Sequence, residues 1–285
     1  MNAWLQPEPA GWWPVVEDAM TEDFGLGDVT AACLEPDAEI EWFIEAQQEG
    51  VVCGVAVAMQ ILSPGPDEPD RAFIEFLVRD SAPVRRGTRI LEGRGNARRI
   101  LAGERTALNF LMHLSGIATL TATFVEKVRG TGARIVDTRK TLPGLRVLEK
   151  YAVRCGGGYN HRMGLYDGAM IKDNHVRATG SIRNAVHRIR ETASHMTKIE
   201  VECESIEQVQ EAIDAGADIV MLDNMDPFSM REIVKQYQGK TVFEASGGVN
   251  LETVRGVAQT GVDLISVGML THSAPAVAFH LEISS

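Results

Sequence analysis

Between Arg134 and Lys172 the chain sets eight basic residues, Arg134, Arg139, Lys140, Arg146, Lys150, Arg154, Arg162 and Lys172, against three acids, Asp137, Glu149 and Asp167. A local charge of +5 inside a chain of net charge −11 is suited to holding a polyanion. Several of these charges sit beside short apolar runs, IVD before TRK and AMI before KDN, which reads as strand ends and not as a solvated helix face. Charge at a strand end is fixed by the sheet behind it, so it can be aimed.

Further along, KIEVECE places Lys198, Glu200, Glu202 and Glu204 on one face of a strand, with Ile199, Val201 and Cys203 on the other. An exposed edge strand would look the same. Asp223 closes the apolar run IVML, so its carboxylate stands at the mouth of a buried strand unless it caps the next helix. Two acids at adjacent strand ends can stabilise a developing cation or help to hold Mg²⁺ on a phosphate. Of Glu200 and Glu202, Glu202 is nearer the C-terminal end of its strand. ASGG (245–248) and SVGML (266–270) are small-residue turns leading into helices, where the backbone N–H groups around Ser246, Gly247, Gly248 and Gly268 can take a phosphate. CGGGYNHR gives the chain a tight path ahead of His161 and Arg162, although a His-Arg pair is also common on surfaces. Arg105, on the polar face of a helix, reads alone as a solvated residue.

These residues need elements to hold them. From residue 134 an apolar run, a polar end and a helix recur: RIVDTRK, GAMIKDN, KIEVECE, DIVMLDN, TVFEASGG and DLISVGM, with helical stretches SIEQVQEAIDAG, PFSMREIVKQYQG and LETVRGVAQTG between the last four. Successive βα units of this kind predict a parallel, TIM-like barrel of six to seven strands, with its chemistry where the strands end. Residues 15–115 mix helix and strand signals and predict a sheet carrying helices: FIEFLV (73–78) is a strand, SPGPDEPD (63–70) a loop, and Ala97 to about Leu114 a helix. That helix would bury Ile100, Ala107, Phe110, Leu111 and Leu114 and leave Arg105 and Asn109 outside.

Bulk composition narrows the function. The first 70 residues hold fifteen acids and no Lys or Arg, which excludes nucleic acid or an anionic membrane as a partner of that part. The N-terminus lacks a basic and then apolar leader pattern, and no apolar run of about 18 residues is present, so the expectation is a soluble, cytoplasmic protein. Cys33, Cys53, Cys155 and Cys203 show no CxxC spacing and read as buried free thiols, not as disulfides or a zinc site. Cys155 stands ahead of three glycines with no activating partner in sequence.

The stretch DTRKTLPGLRVLEKYAVRCGGGYNHRMGLYDGAMIKDNH resembles the signature of the quinolinate phosphoribosyltransferases. The resemblance extends through EDFGLGDVT, GERTALNFLMHLSGIAT, IEVECES, DIVMLDN, EASGGV and ISVGMLTHS, roughly residues 15–275; Ser81 departs from it, in a loop where glycine is frequent. It implies an α/β fold with an N-terminal α/β sandwich domain (1–115) and a C-terminal open α/β barrel (116–272), residues 273–285 packing back on the first. It also implies transfer of phosphoribose from phosphoribosyl pyrophosphate (PRPP) to quinolinate with loss of CO₂, with Mg²⁺ required, in a homodimer or higher oligomer and with no nucleic acid or membrane partner. By the same resemblance Thr138, Arg139, His161, Arg162 and Lys172 bind the dicarboxylate and nearby phosphates, and Arg105 is supplied by the partner subunit. Lys140, Lys172, Glu202 and Asp223 serve catalysis, the two acids toward Mg–pyrophosphate, and Ser246, Gly247, Gly248 and Gly268 cradle the 5′-phosphate. A transferase for nicotinate or another ring acid, and a silent phosphate-binding barrel, are the alternatives.

Overall fold

The computed structural model describes residues 9–63 and 73–284, so the expected loop after Ser63 lies outside the described residues. In chain order the elements are α1 (Pro9–Phe24), β1 (Glu39–Ala46), β2 (Gly50–Val51), α2 (Val55–Leu62), β3 (Phe73–Phe76), β4 (Pro83–Val84), β5 (Arg89–Asn96) and α3 (Ala97–Lys127). They continue as β6 (Arg134–Val136), α4 (Arg146–Cys155), β7 (Ala169–Ile171), α5 (Asp173–Thr179), α6 (Ile182–Thr192), β8 (Ile199–Cys203), α7 (Ile206–Asp214) and β9 (Ile219–Asp223). The last are α8 (Pro227–Gln236), β10 (Val242–Ser246), α9 (Val254–Ala258), β11 (Leu264–Ser266), α10 (Met269–His272) and β12 (Phe279–Ile283). Contacts divide the chain into one unit of Met1–Ala122, Thr141–Gly157 and Leu270–Ser285, and a second of Thr123–Lys140 and Gly158–Met269.

The first unit is built on an antiparallel sheet in the order β12-β1-β5-β3. The C-terminal strand β12 pairs with β1 from Trp42↔Ile283 to Ala46↔Phe279. On this sheet β1 buries Trp42, Ile44 and Ala46 by alternation, and Arg89 on β5 lies 3.7 Å over the Phe43 ring. Helix α2 is apolar nearly all round and buries Val55, Val57, Ala58, Ile61 and Leu62, the larger of them contributing about 1.5–3 kcal/mol each. Its last carbonyls are satisfied from outside, because the Arg99 guanidinium donates to Ile61 O and Ser63 O, each at 2.9 Å.

Helix α3 runs thirteen residues beyond the expected end at Leu114, to Lys127. Ser115 and Gly116 do not break it. The Ser115 hydroxyl bonds the Cys53 backbone, and Gly116 lies where a Cβ would come within 2.3 Å of Pro275 O. By length and composition α3 could cross a membrane, yet Ile100, Ala107, Leu111, Leu114, Ile117, Ala118 and Phe124 are buried inside the protein.

A second difference concerns the basic segment. Residues 146–155 are not strand-end residues: they form α4, which groups with the first unit and buries Leu148, Ala152 and Val153 along with Glu149 and Lys150. Periodicity explains it, since VLEKYAV presents apolar residues at helical spacing. Within this unit Glu149 accepts hydrogen bonds from His113 (2.8 Å) and from the Leu142 N–H (3.2 Å).

The second unit is a six-stranded parallel sheet in the order β6-β11-β10-β9-β8-β7. Tyr159 adds an isolated parallel bridge to Val136 on the free side of β6, a trace of a seventh strand. No pairing among the described residues joins Tyr159 to β7, so the barrel is open there. Helices alternate with the strands as expected and begin on side-chain caps: Ser181 accepts from Asn184 N–H, Ser205 from Gln208 N–H, and Asp226 from Phe228 and Ser229 N–H with Pro227 in the first turn. At the N-terminal face, burial alone would raise the Asp218 carboxyl, but bonds from Ile199 N–H, Lys198 and Arg190 outweigh it and hold the group below the usual range. That knot ties β8 to β9 at the end of the sheet where barrels keep their stability residues.

Candidate active site

At the opposite end, the C-terminal ends of the strands surround a cavity of about 530 Å³ that lies wholly in the second unit. The turn after β6 supplies Thr138, Arg139 and Lys140, the segment after Tyr159 supplies His161 and Arg162, and the end of β7 supplies Lys172. From β8 comes Glu202, from β9 Asp223, from β10 the turn Ser246, Gly247 and Gly248. Four cations and two carboxylates therefore face one space, an arrangement for a polyanion with room for one positive centre.

Local sequence explains each placement. Thr138 Oγ1 accepts the Lys140 N–H at 3.0 Å, a short turn that throws both basic side chains outward at the strand end. Lys172 pairs with Glu202 on the neighbouring strand at 2.5 Å, and both keep partial exposure, 45% and 16%. The alternative of an exposed edge strand for KIEVECE is ruled out, because β8 lies between β7 and β9. Asp223 is not the cap of α8, a role Asp226 fills, so its carboxylate is left for the cavity, steadied by the Asn224 amide at 2.7 Å. Gly247 sits at φ 96°, and a Cβ there would come within 2.1 Å of Asn224 Oδ1 and 3.0 Å of Asn224 N. Only glycine fits that turn, because Asn224 is itself bonded to Ser246 O at 2.9 Å.

Below the cavity is a buried acidic layer. Asp137, fully buried, accepts from Asn160 Nδ2 (2.6 Å) and from the His161 N–H (2.9 Å). His161 Nδ1 accepts the Arg162 N–H at 2.7 Å, so its Nε2 carries the hydrogen and donates to Glu200 at 2.9 Å. Burial, and then the charge of Glu200, push the Glu244 carboxyl up to about 7. Although His161, Glu200 and Glu244 offer atoms within 4.8 Å of one another, the imidazole is oriented as a donor and not as a metal ligand. His161 and Arg162 also line a second cavity of about 270 Å³ beneath, with Glu200, Glu244 and Lys198. Partial burial, and then the neighbouring Arg139, lower the Arg162 pKa from its ordinary value.

Two of the expected residues do not line this chain's cavity, one of them, Arg105, being expected there only from a partner subunit. Gly268 stands two residues past Ser266, which lines the cavity in its place, and Arg105 is in the first unit on α3 with 63% of its side chain exposed. Glu200 is buried below the mouth, so Glu202 is the acid of that strand that lines the cavity. Asp137, Asn160, Asn224, Glu244 and Ser266 were not singled out by sequence. Asp137 and Glu244 carried a signal nonetheless, an acid set into an apolar run, IVD and VFEA.

Matches to known proteins decide the family. The N-terminal domain of the quinolinate phosphoribosyl transferases matches residues 28–115 and the C-terminal domain residues 117–282. The chain belongs to the quinolinate phosphoribosyl transferase family. It is 44% identical over 263 residues to the probable nicotinate-nucleotide pyrophosphorylase [carboxylating] of Bacillus subtilis, covering 92% of this chain and 90% of the relative. It is 41% identical to the nicotinate-nucleotide pyrophosphorylase [carboxylating] of Mycobacterium leprae, covering 94% and 95%. The structure of the Francisella tularensis nicotinate-nucleotide pyrophosphorylase superposes with a TM-score of 0.90 at 36% identity, covering all of both chains. The two-part α/β fold and open barrel are therefore those of the family, and the cavity occupies the barrel unit to which the family's C-terminal domain corresponds.

Proposed function

We infer that the chain transfers the phosphoribosyl group of PRPP to the ring nitrogen of quinolinate and releases CO₂, giving nicotinate mononucleotide and pyrophosphate for NAD biosynthesis. The observation that carries this reading is the single cavity in which Arg139, Arg162 and Lys172 face Glu202 and Asp223 beside a glycine turn. Quinolinate brings two carboxylates and PRPP a phosphate and a pyrophosphate, so the site must bind anions while one carbon becomes cationic. Arg139 and Arg162 suit the dicarboxylate because each guanidinium can take a carboxylate through two parallel N–H bonds. Thr138 and His161 complete that side, His161 held in one orientation by Glu200. Lys140 serves the ribose and pyrophosphate, and Ser246, Gly247 and Gly248, with Gly268 nearby, offer backbone N–H groups to the 5′-phosphate.

As pyrophosphate leaves C1 of the ribose, the carbon gains oxocarbenium character, which the Glu202 and Asp223 carboxylates stabilise while the pyridine nitrogen attacks. The alkylated nitrogen then carries the positive charge that stabilises the electron pair left when the 2-carboxylate departs. The protein's task at that stage is to clamp the 3-carboxylate and orient the ring. Glu202 and Asp223 present hard oxygen donors at adjacent strand ends, the type Mg²⁺ takes beside substrate phosphates, and they are the residues that would hold it. When bound, the ion neutralises charge on the leaving pyrophosphate. The reading includes a homodimer in which Arg105, exposed on α3, completes the site of the second copy. Purified protein given Mg²⁺ and PRPP with quinolinate or nicotinate in parallel tests the reading. Turnover of quinolinate alone supports it, and turnover of nicotinate alone would overturn it.

A further inference from the structure

The first unit holds a buried cluster that the reaction does not use. Cys53 Sγ, Cys155 Sγ and an Asp80 carboxylate oxygen lie within 4.8 Å of one another. Two separate locks on α3 set the distance between the thiols. The Cys53 N–H donates to Ser115 Oγ at 2.9 Å, and the Ser115 hydroxyl donates back to Cys53 O at 3.2 Å. Cys155 ends α4 just before Gly156, where a Cβ would meet Ala118 O at 2.4 Å and Thr121 Cβ at 2.6 Å, so that helix end is pressed onto α3. Around the thiols, Asp80 accepts the Val55 N–H (3.0 Å) and the Tyr151 hydroxyl (2.7 Å). Ser81, next to Asp80 in the chain, holds a left-handed φ of 75°, with its N–H on Val52 O at 2.9 Å. A residue that tolerates this backbone only with strain is kept there, beside the Asp80 carboxylate of the cluster.

The two sulfurs are unequal. Burial pushes the Cys53 thiol well above its usual range. At Cys155 the hydrogen bond from Cys53 is the largest influence and, with those of Ser81 and Tyr151, outweighs burial and holds the group below its usual range. Cys155 also keeps 5% exposure where Cys53 has none. One favoured thiolate beside one thiol is the arrangement of an attacking and a resolving cysteine.

We propose that Cys53 and Cys155 are a reversible dithiol–disulfide couple oxidised by hydrogen peroxide, with Cys155 attacking and Cys53 resolving. The Cys155 thiolate displaces hydroxide from the peroxide as an S–O bond forms and the O–O bond breaks, leaving a sulfenic acid. The Cys53 sulfur then attacks that sulfur. The S–S bond forms, the S–O bond breaks, and the departing hydroxide with the Cys53 proton leaves as water. Two thiols lose two electrons and one peroxide becomes two waters. A metal would need both thiols deprotonated, which the burial of Cys53 opposes, and Asp80 already has a hydrogen bond on each oxygen.

The test uses the full-length protein carrying Cys33→Ser, which removes the exposed thiol. After native exposure to peroxide and alkylation in denaturant, a peptide linking Cys53 to Cys155, about 2 Da lighter than its reduced pair and restored by dithiothreitol, is expected. Adding Cys53→Ser should let dimedone label Cys155 at least about tenfold faster than it labels Cys53 in the Cys155→Ser protein. An unlinked pair in folded protein that links once unfolded in urea would overturn the proposal, as would faster labelling of Cys53. Bound zinc in native mass spectra with both thiols protected from peroxide would overturn it in favour of a metal site. The linked peptide is read on protein with both cysteines present, so a variant that fails to fold leaves that readout intact.

Discussion

Both units bury charge, and they do so differently. In the first, Glu149 has His113 and the Leu142 N–H, and Asp80 has Tyr151 and the Val55 N–H, all in the same unit. In the barrel unit, polar groups converge on open space. Arg139, Lys140, Arg162 and Lys172 line the mouth, and below it one oxygen each of Glu200 and Glu244 makes no hydrogen bond among the described residues. Satisfied buried charge holds a fold together, while charge that lines a cavity is placed to meet a ligand. Substitutions in the two units should therefore separate stability from turnover.

The largest effect should come from the mouth. Asp223→Asn, close in shape, should lower kcat by about a hundredfold to a thousandfold with unchanged circular dichroism and melting temperature, since it removes charge at the developing cation. Arg139→Ala should cost about 10- to 100-fold in kcat/KM for quinolinate through the lost charge-assisted bonds, with KM for PRPP little changed. Near-normal quinolinate kinetics in that protein would take Arg139 out of the site. Mixing inactive Arg105→Ala and Lys140→Ala proteins under subunit exchange should restore about a quarter of wild-type turnover, because half of the dimers then carry one intact site of two. No recovery would place Arg105 with its own subunit's chemistry or outside the site.

Smaller effects should appear in stability. His113→Ala leaves the Glu149 carboxylate short of a partner and should destabilise the first unit by about 1–3 kcal/mol in chemical denaturation, with kcat unchanged. The barrel's own acidic layer should show a pH signature. The Glu244 carboxyl is raised in the folded state to about 7 from an ordinary 4.5, so its contribution is full below pH 4.5 and is lost as pH rises toward 7. The loss amounts to about 3 kcal/mol, and Glu244→Gln should flatten that limb of the stability curve. An unchanged slope in the variant would assign the proton to another group of the layer.

Much of this contrast was legible in the sequence, and where it was not the cause is tertiary. Strand-end charges were readable because, in a βα repeat, an apolar run that stops at TRK or KDN marks the point where a buried strand reaches solvent. Arg146, Lys150 and Arg154 belonged to the same charged segment by counting, yet they lie on α4, and Lys150 is buried. Net charge cannot tell a cavity wall from a helix. Four cysteines without close spacing were read as buried, but Cys33 is exposed, and Cys53 and Cys155 meet across about a hundred residues of chain through α3. The extension of α3 to Lys127 and the interior position of β8 likewise depend on partners far away in sequence: Cys53 and Pro275 for one, β7 and β9 for the other.

The most direct test of the account follows the carbon. With quinolinate labelled in its 2-carboxyl group, the account predicts no labelled CO₂ until PRPP is added, and then CO₂, nicotinate mononucleotide and pyrophosphate in equal amounts, because only the alkylated nitrogen can hold the electron pair left behind. Labelled CO₂ released without PRPP, or a nucleotide product that keeps both carboxylates, would contradict it.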